Sequence, residues 1–322
     1  MRRRTFLMTA AGLAVGCTRR ANGPAAGSED LAQIASQRQD RERHLELLQR
    51  FRVPPTATRS TPKPPTDVLE AAPELKALIK VAVRLHPRFS DEPKPDESKL
   101  GGRFLWPAAE PWPTCEEHGI PHVPVLQLRV EDAPPNVPYF PDSDLLQLLW
   151  CPRVHGTDRV KPAVVWRKRA SVTGPTADPP PTDQALPGYV PVPCRVFPER
   201  VMEFPPEGLL PASVRARVAR LDNYDVNLST CPGMKVGGWP WWATQDQSTA
   251  CDHCRRPTDF LLAVSGAEWG DASWKRWMPT EEQRSRSPDA DRGYGQAAGL
   301  ALNKPVNVYV CRRCDGWPIR VV

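Results

Sequence analysis

The sequence predicts a strand-rich α+β fold made of two tandem related halves, each with a zinc-knuckle site, and few short helices. Three observations carry this expectation. Proline is abundant, 39 of 322 residues, and its fixed φ and missing N–H break long helices. Apolar residues fall in short runs such as Lys80-Val81-Ala82-Val83-Arg84-Leu85-His86, which read as strands rather than helices. The chain also repeats itself at a fixed offset of 136 residues, and a fixed period marks repeated structural units.

The repeat is ungapped over its key stretch. Lys99-Leu100-Gly101-Gly102 returns as Lys235-Val236-Gly237-Gly238. In the same register Trp106 matches Trp242, Cys115 matches Cys251 and His118 matches Cys254. Val125-Leu126-Gln127-Leu128 matches Leu261-Leu262-Ala263-Val264. Each half then closes on a strand that runs into metal-type ligands: Leu145 to Trp150 before Cys151-x-x-x-His155, and Val306 to Val310 before Cys311-x-x-Cys314. The glycine pairs read as turns needing positive φ. No helix start or GKS/T follows them, so they are not phosphate loops.

In chain order, residues 1–17 resemble an export leader. Arg3-Arg4-Thr5-Phe6-Leu7 fits a twin-arginine pattern, and the apolar run over 6–15 is too short to span a bilayer permanently. Cys17 sits where a lipoprotein is cleaved and acylated. The expected location is therefore extracytoplasmic, membrane-anchored through Cys17, with a plain basic N-terminus and a cytoplasmic protein as the alternative. Residues 18–65 form a tether: an amphipathic helix over 28–51, then a linker over 52–65 with five prolines. Residues 66–173 make the first half, opening with a short helix over 67–79 capped by Thr66 and kinked at Pro73. A connector with seven prolines covers 174–193, and 194–322 make the second half, with a helix over 209–221. Residues 270–299 read as a polar, mobile insert.

The four cysteines Cys251, Cys254, Cys311 and Cys314 carry the strongest chemical signal. Two thiolates a few residues apart on a tight turn face one ion, and two such knuckles complete a tetrahedron. Strained local disulfides, a redox dithiol and free thiols are the competing readings. The first half offers Cys115, His118, Cys151 and His155 at repeat-equivalent positions, with Cys194 and His122 as rival ligands. Cys231 has no repeat counterpart and reads as a buried thiol. Four protein ligands leave no position for water or substrate, so the expected cofactor is structural zinc, one or two ions.

Other signals are weaker. Trp239, Trp241 and Trp242 read as core packing in preference to a sugar or peptide platform. Arg215, Arg217 and Arg220 form a solvated basic face. Glu199 and Glu203 flank Arg200 without an evident partner base. The formal charge is +6, of which Arg2, Arg3 and Arg4 supply three, and no lysine-rich tract follows. This gives nucleic-acid binding no support.

Several segments together resemble a known family. Ser98-Lys99-Leu100-Gly101-Gly102 with Phe104-Leu105-Trp106-Pro107, Leu145 to Pro152 (LLQLLWCP), Phe197 to Pro205 (FPERVMEFP) and Lys235 to Pro240 (KVGGWP) are similar to the YwqG-like family of bacterial proteins, in its cysteine-rich actinobacterial branch. The resemblance covers about residues 80–322. It implies a strand-rich α+β fold from two related halves, and it brings no activity with it. Ala243-Thr244-Gln245 departs from the pattern, in which glutamine stands closer to the tryptophan. The expected function is a non-enzymatic, zinc-stabilised module that binds a protein partner. A hydrolase with a cleft between the halves and a thiol–disulfide protein using the CxxC pairs are the alternatives.

Overall fold

A computed structural model describes residues 34–39, 41–43, 46, 58–90, 93–156, 160–221, 223–241, 249–285 and 298–322. The leader, Cys17 and Trp242 lie outside the described residues. So do Ala243-Thr244-Gln245 and most of the proposed tether, of which residues 34–39 and 41–43 are helical.

The chain forms two six-stranded sheets and a few short helices. The first sheet runs β6 (Pro162–Arg167), β5 (Leu145–Trp150), β4 (Val123–Arg129), β3 (Lys99–Leu100), β7 (Cys194–Arg195), β2 (Arg88–Phe89). The second runs β12 (Ile319–Val321), β11 (Val306–Val310), β10 (Asp259–Val264), β9 (Lys235–Gly237), β1 (Lys80–Arg84), β8 (Glu199–Glu203). One buried apolar cluster draws on both, with Leu126, Leu148 and Trp150 from the first and Val236, Leu262 and Val308 from the second. Along β5 the side chains alternate as a strand requires: Leu146 and Leu148 enter this core, and Leu149 packs on the other face with Phe104 and Trp106.

The repeat is a repeat of structure. Lys99 pairs with Gln127 and Leu100 with Leu126, as Lys235 pairs with Ala263 and Val236 with Leu262. The ladder is bulged between Pro124 and Leu126 and again between Phe260 and Leu262, the same positions 136 residues apart. All four glycines of the two pairs have positive φ, between 57° and 75°. A Cβ on Gly101 would stand 2.8 Å from the Pro191 carbonyl oxygen.

The halves are interlocked rather than laid end to end. β1 precedes the first half's own strands yet lies in the second sheet, and β7 of the second half lies in the first sheet. Residues 80–89 and 194–203 pair antiparallel in one register throughout, from Lys80 with Glu203 to Phe89 with Cys194. This single ribbon crosses from one sheet to the other.

Three local expectations are corrected. Asp67, not Thr66, caps the first helix through Leu69 N–H, and that helix, α1 (Val68–Ala71), stops before Pro73, where a 3₁₀ turn takes over. The later helix is shorter than expected: α2 (Ala212–Val218) follows a separate 3₁₀ turn at Glu207–Leu209. The described part of the insert is folded. It holds α3 (Trp274–Trp277) and α4 (Thr280–Ser285), and Trp277 and Met278 are buried against Ala82, Val201 and Cys231. The apolar tryptophans outweigh the polar composition that suggested a loop. The proline-rich connector is likewise held, burying Leu186 and Val192 and accepting the Trp150 indole N–H on the Tyr189 carbonyl at 2.7 Å.

Candidate metal centres

Each half folds its first knuckle in the same way. Cys115 N–H donates to the Ile120 carbonyl and Cys251 N–H to that of Arg256. Gly119 N–H returns to the Cys115 carbonyl, and Arg255 N–H to that of Cys251. The residue closing each turn is left-handed: Gly119 has φ 65°, and Arg255 takes the same conformation at 59° despite its Cβ. A bridge pairs Thr114 with Pro121, and its counterpart pairs Ala250 with Pro257. These contacts fix both first ligands of a half on one tight turn, and β4–β5 or β10–β11 pairing brings the closing knuckle alongside.

The structure brings Cys115, His118, Cys151 and His155 into one cluster and Cys251, Cys254, Cys311 and Cys314 into another, with all ligand atoms of a cluster within 4.8 Å of one another. In the C-terminal cluster the Cys251 and Cys314 sulfurs are 3.9 Å apart, and those of Cys254 and Cys311 are 3.6 Å apart. A tetrahedron with metal–sulfur bonds near 2.3 Å has edges of about 3.8 Å. A disulfide needs about 2.05 Å. In the N-terminal cluster His118 Nδ1 stands 3.8 Å from Cys115 Sγ and 3.4 Å from Cys151 Sγ. His155 Nε2 is 3.7 Å from Cys115 Sγ. Sulfur–nitrogen edges of a tetrahedral site are about 3.6 Å. Both donor sets, S₄ and S₂N₂, suit a tetrahedral divalent ion.

One thiol in each cluster resists ionising. Burial, then the neighbouring Cys115 thiol, pushes the Cys151 thiol up to about 12. Cys314 is also pushed up to about 12, first by its hydrogen bond with Cys254 and then by burial. A divalent cation at the centre reverses this balance by favouring thiolate.

One residue outside the sequence pattern completes the N-terminal cluster. Glu117 Oε2 is 2.8 Å from His155 Nδ1, on the ring edge away from the sulfurs. The bond to His155 holds the Glu117 carboxyl below the ordinary carboxylate range. A carboxylate on the far nitrogen fixes a ligand histidine's tautomer and ring orientation. The repeat hides Glu117, because its counterpart is His253.

The rival ligands stand outside both clusters. Cys194 is buried on β7, where burial raises its thiol far above the ordinary range. His122 is buried with neither ring nitrogen bonded, and burial holds it down to about 4. Cys231 is buried beside Trp277, and its backbone N–H donates to Glu203.

A second polar centre also escaped sequence reasoning. Glu199 does have a partner base: His86 Nε2 lies 2.8 Å from its Oε2, and His86 Nδ1 faces Glu268 Oε2 at 3.6 Å. His86 is fully buried at φ 43°, where the ribbon crosses between sheets. Residues 58–62 cover this centre. Thr61 N–H donates to Glu199 and Arg59 Nε to Glu282. Glu203, the other carboxylate of that stretch, is paired with Lys235 at 2.7 Å, both side chains fully buried. It also accepts from Cys231 and Trp239 N–H. A Cβ on Gly238 would fall inside the Glu203 carboxylate, so Lys235-Val236-Gly237-Gly238-Trp239 is a cradle for that one acid.

No protein-family model matches this chain, and no curated protein does.

Proposed function

We propose that both clusters are structural zinc sites and that the protein is a non-enzymatic, zinc-stapled binding module. The observation that supports this most is the pair of four-ligand sets at repeat-equivalent positions, with edges of tetrahedral length. Four protein ligands per ion leave no open position for water or substrate. The Cys251–Cys314 and Cys254–Cys311 sulfurs, 3.9 and 3.6 Å apart, face one another across the two knuckles, an arrangement that speaks for one shared ion. Membership of the YwqG-like family is consistent with the two-half architecture. Export through the twin-arginine pattern, anchoring at Cys17 and an external protein partner belong to the same reading. Among the described residues no helix is long and apolar enough to cross a membrane.

Native mass spectrometry of protein purified under reducing conditions tests the zinc reading. Two zinc ions per chain are expected. Protein without zinc, with all cysteines open to alkylation, would sink it. Replacing Arg3 and Arg4 by lysine tests location, since the arginines are read by a receptor. Export should stop, and an unchanged distribution rejects the leader.

A further inference from the structure

A cavity of about 460 Å³ opens where Lys63 of the N-terminal segment meets α3 and the turn at Tyr224–Ser229. That turn is a π-helix entered through Asn223 at φ 47°. Both are costly local conformations that cluster at functional sites. The volume falls in the range of small-molecule pockets.

We propose that this cavity binds a small anionic sugar, a hexose bearing a phosphate or a carboxylate. Among the described residues its lining is cationic, with Lys63, Lys275 and Arg276 against the one carboxylate of Asp271. Arg276 is 6% exposed, and among the described residues no carboxylate lies within ion-pairing reach of it. Its Nη1 donates to the Pro62 carbonyl, its Nε has no acceptor, and its guanidinium lies over the Trp277 ring at 3.8 Å. Burial, and then the neighbouring Arg84, holds it down to about 10. A buried cation without a counter-charge is costly, and an anion in the adjoining cavity supplies one. The half-buried indole of Trp274 offers an aromatic wall, against which the C–H face of a sugar ring packs. Asn223 and Asn227 bring amides that both donate to and accept from hydroxyls. The cavity shares no residue with either Cys/His cluster, so it stands or falls apart from the zinc reading.

Calorimetric titration of the full chain as purified, with glucose 6-phosphate, glucuronate, glucose and inorganic phosphate, tests the proposal. The two anionic sugars should bind, and glucose and inorganic phosphate should bind at least roughly tenfold more weakly. Lys63→Glu/Lys275→Glu changes two exposed side chains. It should weaken sugar-anion binding by at least roughly tenfold without moving the melting temperature. No binding of either anionic sugar at millimolar concentration overturns the proposal, as does undiminished binding by the double variant. Glucose binding as tightly as glucose 6-phosphate removes the anion from it. Inorganic phosphate binding as tightly removes the sugar.

Discussion

Glu117 and His155 meet at 2.8 Å through the ring nitrogen that points away from the Cys/His cluster, and this leaves Nε2 facing Cys115. The carboxylate itself is more than half exposed, so it contributes orientation rather than buried packing. Glu117→Gln should therefore weaken metal at the N-terminal cluster alone, by about 10- to 100-fold. Chelator competition that resolves two ions per chain checks this. Equal losses at both clusters, or none, would reject the positioning role.

On the zinc reading Cys311→Ser removes one of four ligands, whereas Cys194→Ser alters a buried thiol on β7. Structural zinc sites contribute roughly 10–16 kcal/mol of apparent binding energy. Cys311→Ser should lose one zinc and unfold the C-terminal half. Cys194→Ser should retain both ions and cost on the order of 1–3 kcal/mol, the penalty of a buried hydroxyl. Metal analysis with circular dichroism melts separates the two. Two retained zincs in Cys311→Ser would exclude it as a ligand.

The pair of Glu203 with Lys235 is fully buried, so removing one partner strands the other. Glu203→Gln should destabilise the protein by about 3–5 kcal/mol in a denaturant melt. The double variant Glu203→Met/Lys235→Met should recover most of that loss, because a buried ion pair is often no better than apolar side chains of similar size. A double variant as unstable as Glu203→Gln would mean that the backbone bonds to the acid, not the stranded charge, set the cost.

His122 makes stability depend on pH. Its folded value is held down to about 4 by burial, against an ordinary value of 6.5. Between these values the unfolded chain binds a proton that the folded chain refuses. Its contribution is complete above pH 6.5 and is lost as pH falls toward 4, by an amount on the order of 2–3 kcal/mol. His122→Leu should flatten that part of the stability curve relative to the unaltered protein. Identical slopes in the two proteins would rule it out.

The knuckles and glycine turns were legible because they are local. Gly101-Gly102, Gly237-Gly238 and the paired ligands carry their conformational demands within a few residues, so a fixed offset exposes them. Strand exchange was not legible, since nothing in Lys80 to Arg84 or in Cys194-Arg195 states which sheet will receive it. Nothing in the sequence joins His86 to Glu199, and only the ribbon, with Arg84 opposite Glu199, brings their side chains within reach. Glu117 was masked by a repeat whose second copy carries His253 there. The segment around Trp274 and Trp277 was misjudged because charged neighbours diluted two tryptophans that anchor it in the core.

The ribbon that crosses between the sheets also sets a timetable. As the chain leaves the ribosome, Lys80 to Arg84 emerges more than a hundred residues before its partner at Glu203, and the first sheet waits for Cys194 to fill its gap. Contacts of such long sequence separation are closed late and slowly. The first half is not finished when its own last residue is made, so the N-terminal cluster can come together while its sheet is still one strand short. Joining of the two sheets awaits Cys194 to Glu203, and a ribosome stalled in the connector would hold a half whose edge at β3 is open to the wrong strand.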